Sequence, residues 1–96
     1  MKIKWTFLAK NDFWQNIEYL EEHWTENDVV NFISAVDNAI ALLQSQTISF
    51  SKSGYKDVFK MVIIKQITLF YSIDSKTIYL LRFWNNYQNP SIITLK

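Results

Sequence analysis

Two very short connections constrain this chain more than any other feature. Residues 57–64, 67–73 and 77–84 are apolar, strand-like runs, and only Lys65-Gln66 and Asp74-Ser75-Lys76 lie between them. A parallel crossover needs a dozen or more residues, so links this short force the three strands into an antiparallel meander. Such a sheet needs apolar helices to cover one face, and the first half of the chain supplies them.

Residues 2–7, KIKWTF, alternate, with Ile3, Trp5 and Phe7 on one side, which predicts a half-buried strand. From Ala9 the period changes. Phe13, Ile17, Leu20 and Trp24 form one stripe of a helix over about 9–23. Thr25 and Asp28 have capping-box spacing and open a second helix at about 26–44, striped by Val29, Phe32, Ile33, Val36, Ile40 and Leu43. So short a link predicts an antiparallel helical pair. Residues 45–56 are Ser-rich, carry the chain's single Gly and read as a loop. The predicted fold is α+β, ordered β-α-α-β-β-β, with a helical hairpin packed on one face of a mainly antiparallel four-stranded sheet. The 96 residues make a single domain, 1–96, with the other sheet face and one sheet end left for a partner.

The residue inventory narrows the chemistry. With no Cys, one His and one Gly, the chain offers no thiolate metal site, no Ser/His/Asp constellation and no glycine-rich phosphate loop, so no metal and no cofactor is expected. His23 reads as a residue favoured at a helix C-terminus. Glu18, Glu21 and Glu22 read as a solvated helix face. No secretory leader is visible and no apolar run approaches the roughly 20 residues of a membrane span, so a cytoplasmic protein with no membrane partner is expected. Net charge is +1 but uneven: residues 12–37 hold seven acids and no Lys or Arg. Residues 52–82 hold Lys52, Lys56, Lys60, Lys65, Lys76 and Arg82 against Asp57 and Asp74. The basic strand half points to an anionic partner.

Residues 77–90, TIYLLRFWNNYQNP, run from an apolar strand into Arg82, two aromatics and a polar, hydrogen-bonding cluster. Phe83, Trp84, Asn85, Asn86, Tyr87 and Gln88 are therefore the predicted partner-binding residues, since Tyr and Trp dominate interface hot spots. Trp5 and Trp24 sit on core positions, Trp14 lies off the first stripe, and Trp84 fits either role. A metal-free phosphodiester cleavage needs cations to hold the phosphate and a proton-transfer group. Lys60, Lys65, Arg82 and Tyr87 are the candidates for it. The plainer reading makes them ordinary solvent-facing strand residues.

Trp5, Ala9, Asp12, Ile17 to Leu20, Trp24, Phe32, Ile40 to Leu43, Leu69 to Ile73, Ile78 to Arg82 and Asn89-Pro90 occur in an order and spacing that resembles the RelE/ParE toxin superfamily. The resemblance implies the toxin of a type II toxin–antitoxin module, neutralised by a cognate antitoxin that wraps it with a helix or an added strand. It also allows a homodimer. RelE-like members enter the ribosome and cleave mRNA, whereas ParE-like members inhibit DNA gyrase and are not nucleases. Phe59 stands where the family often has a basic residue. Asn85-Asn86-Tyr87-Gln88 replaces a histidine-glycine-arginine-arginine run that handles phosphate in the ribonuclease branch. The expected function is therefore a ParE-like or otherwise directed growth inhibitor. The alternatives are a RelE-like endoribonuclease and a toxin-derived binding module without toxicity.

Overall fold

The structure, a computed structural model, describes residues 1–45, 51–53 and 57–87. Its elements run β1 (Lys2–Trp5), α1 (Phe7–His23), α2 (Glu26–Ser45), β2 (Ser51–Lys52), β3 (Phe59–Ile64), β4 (Ile67–Asp74) and β5 (Thr77–Asn85). The sheet order is β1-β5-β4-β3-β2. β3, β4 and β5 form the expected meander, and β1 adds in parallel beside β5. The predicted four strands are present. The two-residue β2, which pairs antiparallel with β3, extends the sheet from within the region read as a loop. Gly54 and residues 88–96, including Gln88 and Asn89-Pro90, lie outside the described residues.

Two capping devices set the helix limits. Thr6 is the N-cap of α1: its Oγ1 accepts the Ala9 N–H at 3.2 Å and donates to the Leu80 carbonyl at 2.7 Å. That single side chain ends β1 at Trp5 and starts α1 two residues before the predicted position. Phe7, expected to point inward from a strand, consequently lies on the first helical turn and is 74% exposed. The Thr25–Asp28 box forms as predicted. Thr25 N–H donates to Asp28 Oδ2 at 3.0 Å, and Asp28 N–H donates to Thr25 Oγ1 at 3.3 Å.

Both stripes pack on one sheet face, apart from Ile33, which is 38% exposed. Ile17 and Leu20 from α1 and Phe32, Val36 and Leu43 from α2 meet Ile67, Leu69, Tyr71, Ile78, Leu80 and Phe83. Trp5 and Trp24 pack against this core as expected, and Trp14 lies outside it. A cluster of rings forms at its centre, with Phe13 5.4 Å from Phe32 and Phe83 5.3 Å from Trp5. Offset and edge-on geometries suit the ring quadrupoles.

β5 carries a bulge that decides the site. Tyr71 pairs with Leu80 but Phe70 pairs with Arg82, so Leu81 is the extra residue. Ile78 and Leu80 point into the core, and strict alternation would send Arg82 after them. The bulge resets the phase, turning Arg82 outward and Phe83 inward.

Candidate functional site

β1 pairs with β5 from Thr77 to Leu80, and among the described residues the remaining edge of β5 has no strand partner. Side chains of α1 cover it. Phe83 N–H donates to Asp12 Oδ2 at 3.1 Å, and Asn16 Nδ2 donates to the Phe83 carbonyl at 2.8 Å. Buried backbone groups must find partners, and this arrangement supplies them while blocking edge-to-edge pairing there.

Arg82 belongs to the same arrangement. Its Nε donates to Asp12 Oδ2 at 2.6 Å and its Nη2 to Asp12 Oδ1 at 3.0 Å, a bidentate pair whose side chains are 14% and 7% exposed. The guanidinium carbon also lies 5.2 Å from the centre of the Trp84 ring. Planar guanidinium suits both contacts at once. A cleft of about 180 Å³ opens beside the pair, lined by Asp12, Gln15, Asn16, Tyr19, Phe83 and Asn85.

The sheet face away from the helices carries alternating cations and rings. Lys4 Nζ lies 5.9 Å over the Tyr79 ring. Arg82, Phe70 and Lys60 stand in one cross-strand row, and Trp84, Thr68 and Val62 in the next. Lys4, Lys60 and Val62 are exposed, Val62 by 66%. The acids Glu18, Glu21 and Glu22 are exposed on α1. The charge asymmetry of the sequence therefore becomes two faces of opposite character.

The four candidate catalytic residues do not converge. Lys60 and Arg82 are two strands apart, roughly 10 Å, with Phe70 between them. Lys65 occupies the β3–β4 turn and Tyr87 follows β5 at that same end, beyond both. Tyr87 is 63% exposed, and its ring stacks with Trp24 of the helical layer at 6.4 Å and 17°.

The predicted partner-binding run is corrected in its first half. Phe83, Trp84 and Asn85 are 1%, 6% and 6% exposed, so they belong to the body of the fold and present little to a partner. The reason for Phe83 is the bulge, which turns it among the core rings. Asn85 Oδ1 accepts the Tyr87 N–H at 2.9 Å. Asn86 ties the β3–β4 turn to the end of β5. Its N–H donates to the Gln66 carbonyl at 2.7 Å, its Nδ2 to the Lys65 carbonyl at 2.9 Å, and its Oδ1 accepts from Thr68 Oγ1 at 3.0 Å. The polar run after the strand thus serves the fold itself. Asn86 and Tyr87 remain exposed, and Gln88 falls outside the described residues.

Asp12 enters the site from a position that the sequence marks only through the family resemblance, and Lys4, Phe70 and Tyr79 join it from positions with no such mark. Asp12 and Asn16 carry a signal in the sequence: two polar residues four apart, each directly before an apolar stripe position, Phe13 or Ile17.

No known family model and no curated protein matches the sequence. Solved structures do match. A chain of the chromosomal ParDE TA system from P. aeruginosa superposes with a TM-score of 0.73 at 16% identity, over 88% of this chain and 95% of that one. The fold is that of the RelE/ParE toxins. A copper-bound mutant toxin from Helicobacter pylori gives a TM-score of 0.65 at 16% identity, over 90% of this chain and 94% of its own. A chain of the YoeB dimer from Staphylococcus aureus gives 0.61 at 13% identity, over 91% and 98%. On this RelE/ParE fold, no cluster of three or more His, Cys, Asp or Glu placed to hold a metal occurs among the described residues. Nor is any described helix long and apolar enough to cross a membrane.

Proposed function

We propose that this protein is the toxin of a type II toxin–antitoxin pair, a growth inhibitor that acts by binding a protein target, DNA gyrase being the first candidate. The reading carries with it a cognate antitoxin as partner and the cytoplasm as site of action. One observation supports the non-nuclease side above all. Arg82, the strongest phosphate-binding candidate, is held by Asp12 and Trp84, Lys60 stands two strands away from it, and Lys65 and Tyr87 lie at the β3–β4 turn end. Phosphoryl chemistry of this kind depends on cations gathered around one oxyanion, and that gathering is missing from these four positions.

The second reading, ribosome-dependent mRNA cleavage, draws on the sheet face away from the helices, where Lys4 and Lys60 are exposed. Cations alternate there with rings, the pattern that tracks a phosphate backbone and stacks bases. The two readings separate in a pulse-label experiment on bacterial cells expressing the protein without antitoxin. Under the first, thymidine incorporation falls before methionine incorporation, and Lys60→Ala with Lys65→Ala leaves the arrest intact. Under the second, methionine incorporation falls first and that variant is inert. If neither falls, the protein is a binding module without toxicity.

A further inference from the structure

We propose that the cleft beside the Asp12–Arg82 pair binds a small, neutral, planar cyclic amide of the nucleobase class, free and not part of a polynucleotide. The site is made of hydrogen-bonding groups that the fold leaves over. Asn86 N–H donates to the Gln66 carbonyl, so those two residues form a hydrogen-bonded pair between β4 and β5. The next pair of the ladder, Ile67 with Asn85, is then of the other kind, and the Asn85 N–H and carbonyl point to the open edge, as those of Phe83 do. α1 engages both Phe83 groups. It engages neither of the Asn85 groups. Among the described residues, the Asn85 N–H, carbonyl and Nδ2 have no hydrogen-bond partner, and its Oδ1 accepts the Tyr87 N–H. Asn16 gives Nδ2 to the Phe83 carbonyl and leaves Oδ1 without a partner there. Asn16 and Asn85 are 5% and 6% exposed, and both line the cleft. The sealed and unpartnered side-chain atoms among the described residues are the indole nitrogens of Trp24 and Trp84, so the unspent atoms of Asn16 and Asn85 are reachable from the cleft. Buried polar groups are normally satisfied, and two such residues with spare donors and acceptors around one cavity mark a place for a ligand.

Size, charge and shape select the ligand. The cleft holds about 180 Å³. A cavity of roughly 150 Å³ accommodates benzene, so there is room for one ring and little more. Of the lining residues Asp12 is charged, and both its oxygens are committed to Arg82 and the Phe83 N–H, which leaves no charge to pair with an ion. Tyr19 and Phe83 give the walls aromatic character, which suits a flat ring. A ring amide carries an N–H and a C=O side by side, the kind of edge that Asn side chains read on bases. Its donor answers Asn16 Oδ1 and its acceptor answers Asn85 Nδ2 or N–H. An added peptide strand fits less well. With the Phe83 groups taken, Asn85, the last residue of β5, is the one left to pair, too few for a strand. The toxin reading plays no part in this site.

The test titrates the full-length protein with uracil and follows amide resonances by nuclear magnetic resonance. Uracil shifts the Asn85 backbone N–H and the Asn16 side-chain amide, and the shifts saturate. Uracil methylated on both ring nitrogens binds at least about tenfold more weakly, because Asn16 Oδ1 then stays unpaired. Benzoate, a flat ring with a charge, does not bind. Asn85→Asp keeps an acceptor for the Tyr87 N–H while replacing the Nδ2 donor, and weakens uracil binding by a similar factor. Gln15→Trp fills the cleft from an exposed position and abolishes binding, with circular dichroism showing the fold intact. Absence of any uracil shift overturns the proposal and leaves the cleft to water. Equal binding of the methylated ring or of benzoate overturns it as well, and so does binding that survives both variants. A short uridine oligonucleotide that binds more tightly than uracil also overturns it, assigning the edge to a polynucleotide. Toxicity is not read, so failure here is distinguishable from failure of the toxin reading.

Discussion

Asp12 and Arg82 show how one pair of side chains carries both architecture and the limits on chemistry. Removing one member of a buried ion pair strands the other charge, a cost of about 3–5 kcal/mol. Arg82→Ala is therefore expected to lower the urea midpoint sharply, and loss of toxicity in that variant would report unfolding as readily as chemistry. Replacing both residues together, Asp12→Asn with Arg82→Met, is expected to recover much of the loss in the same urea titration, because no lone charge remains and the Asn amide oxygen can still accept the Phe83 N–H. Ser75, in the β4–β5 turn, adopts φ 56°, a left-handed conformation that a Cβ disfavours. Ser75→Gly should raise stability by about 0.5–1 kcal/mol, read as a higher melting temperature. Tyr71 gives a pH test. Burial raises its hydroxyl above the ordinary 10.0, so the folded state resists ionisation. The sign follows: stability is intact below pH 10.0 and is lost as pH climbs through the folded value. Relative to Tyr71→Phe, the wild type should lose stability as pH rises above that point, measured by urea unfolding at stepped pH.

At the level of elements, the least ordinary feature is the edge of β5. β1 pairs with four residues of it, and the side chains of Thr6, at the cap of the first helix, and of Asp12 and Asn16, within it, bond Leu80 and Phe83. A strand edge is thus closed by a helix. Thr6→Ala removes the N-cap of α1 and the Leu80 bond together, and should cost about 1–2 kcal/mol, checked by chemical denaturation. The two helices, the meander and the Thr25–Asp28 box were legible in the sequence because each is local: period, link length and cap spacing are read from neighbours. The Thr6 cap was not legible, because KIKWTF alternates through Phe7 and its Thr reads equally as an outward strand residue. What fixes Thr6 is the carbonyl of Leu80, 74 residues away.

Across the whole molecule, the chain separates charge into two faces: acidic outer helices and a sheet face with cations interleaved among rings. Each face fits a different class of partner, and the Asp12 and Asn16 edge joins the two layers between them. Co-expression with the protein encoded beside it should restore growth and yield a complex that survives gel filtration, as a toxin–antitoxin pair requires. Growth arrest unrelieved by that neighbour would point to another origin for any toxicity.

The sequence by itself determined the order of elements, the antiparallel meander, the side of each helix that is buried and the uneven charge, because all of these follow from spacing along the chain. Only the tertiary structure decided which polar residues are available. The Leu81 bulge turned Phe83 into the core and Arg82 onto Asp12, and Asn86 was drawn into the β3–β4 turn. Those outcomes rest on hydrogen bonds between residues 70 and 21 positions apart, and on a one-residue phase change that local periodicity cannot reveal.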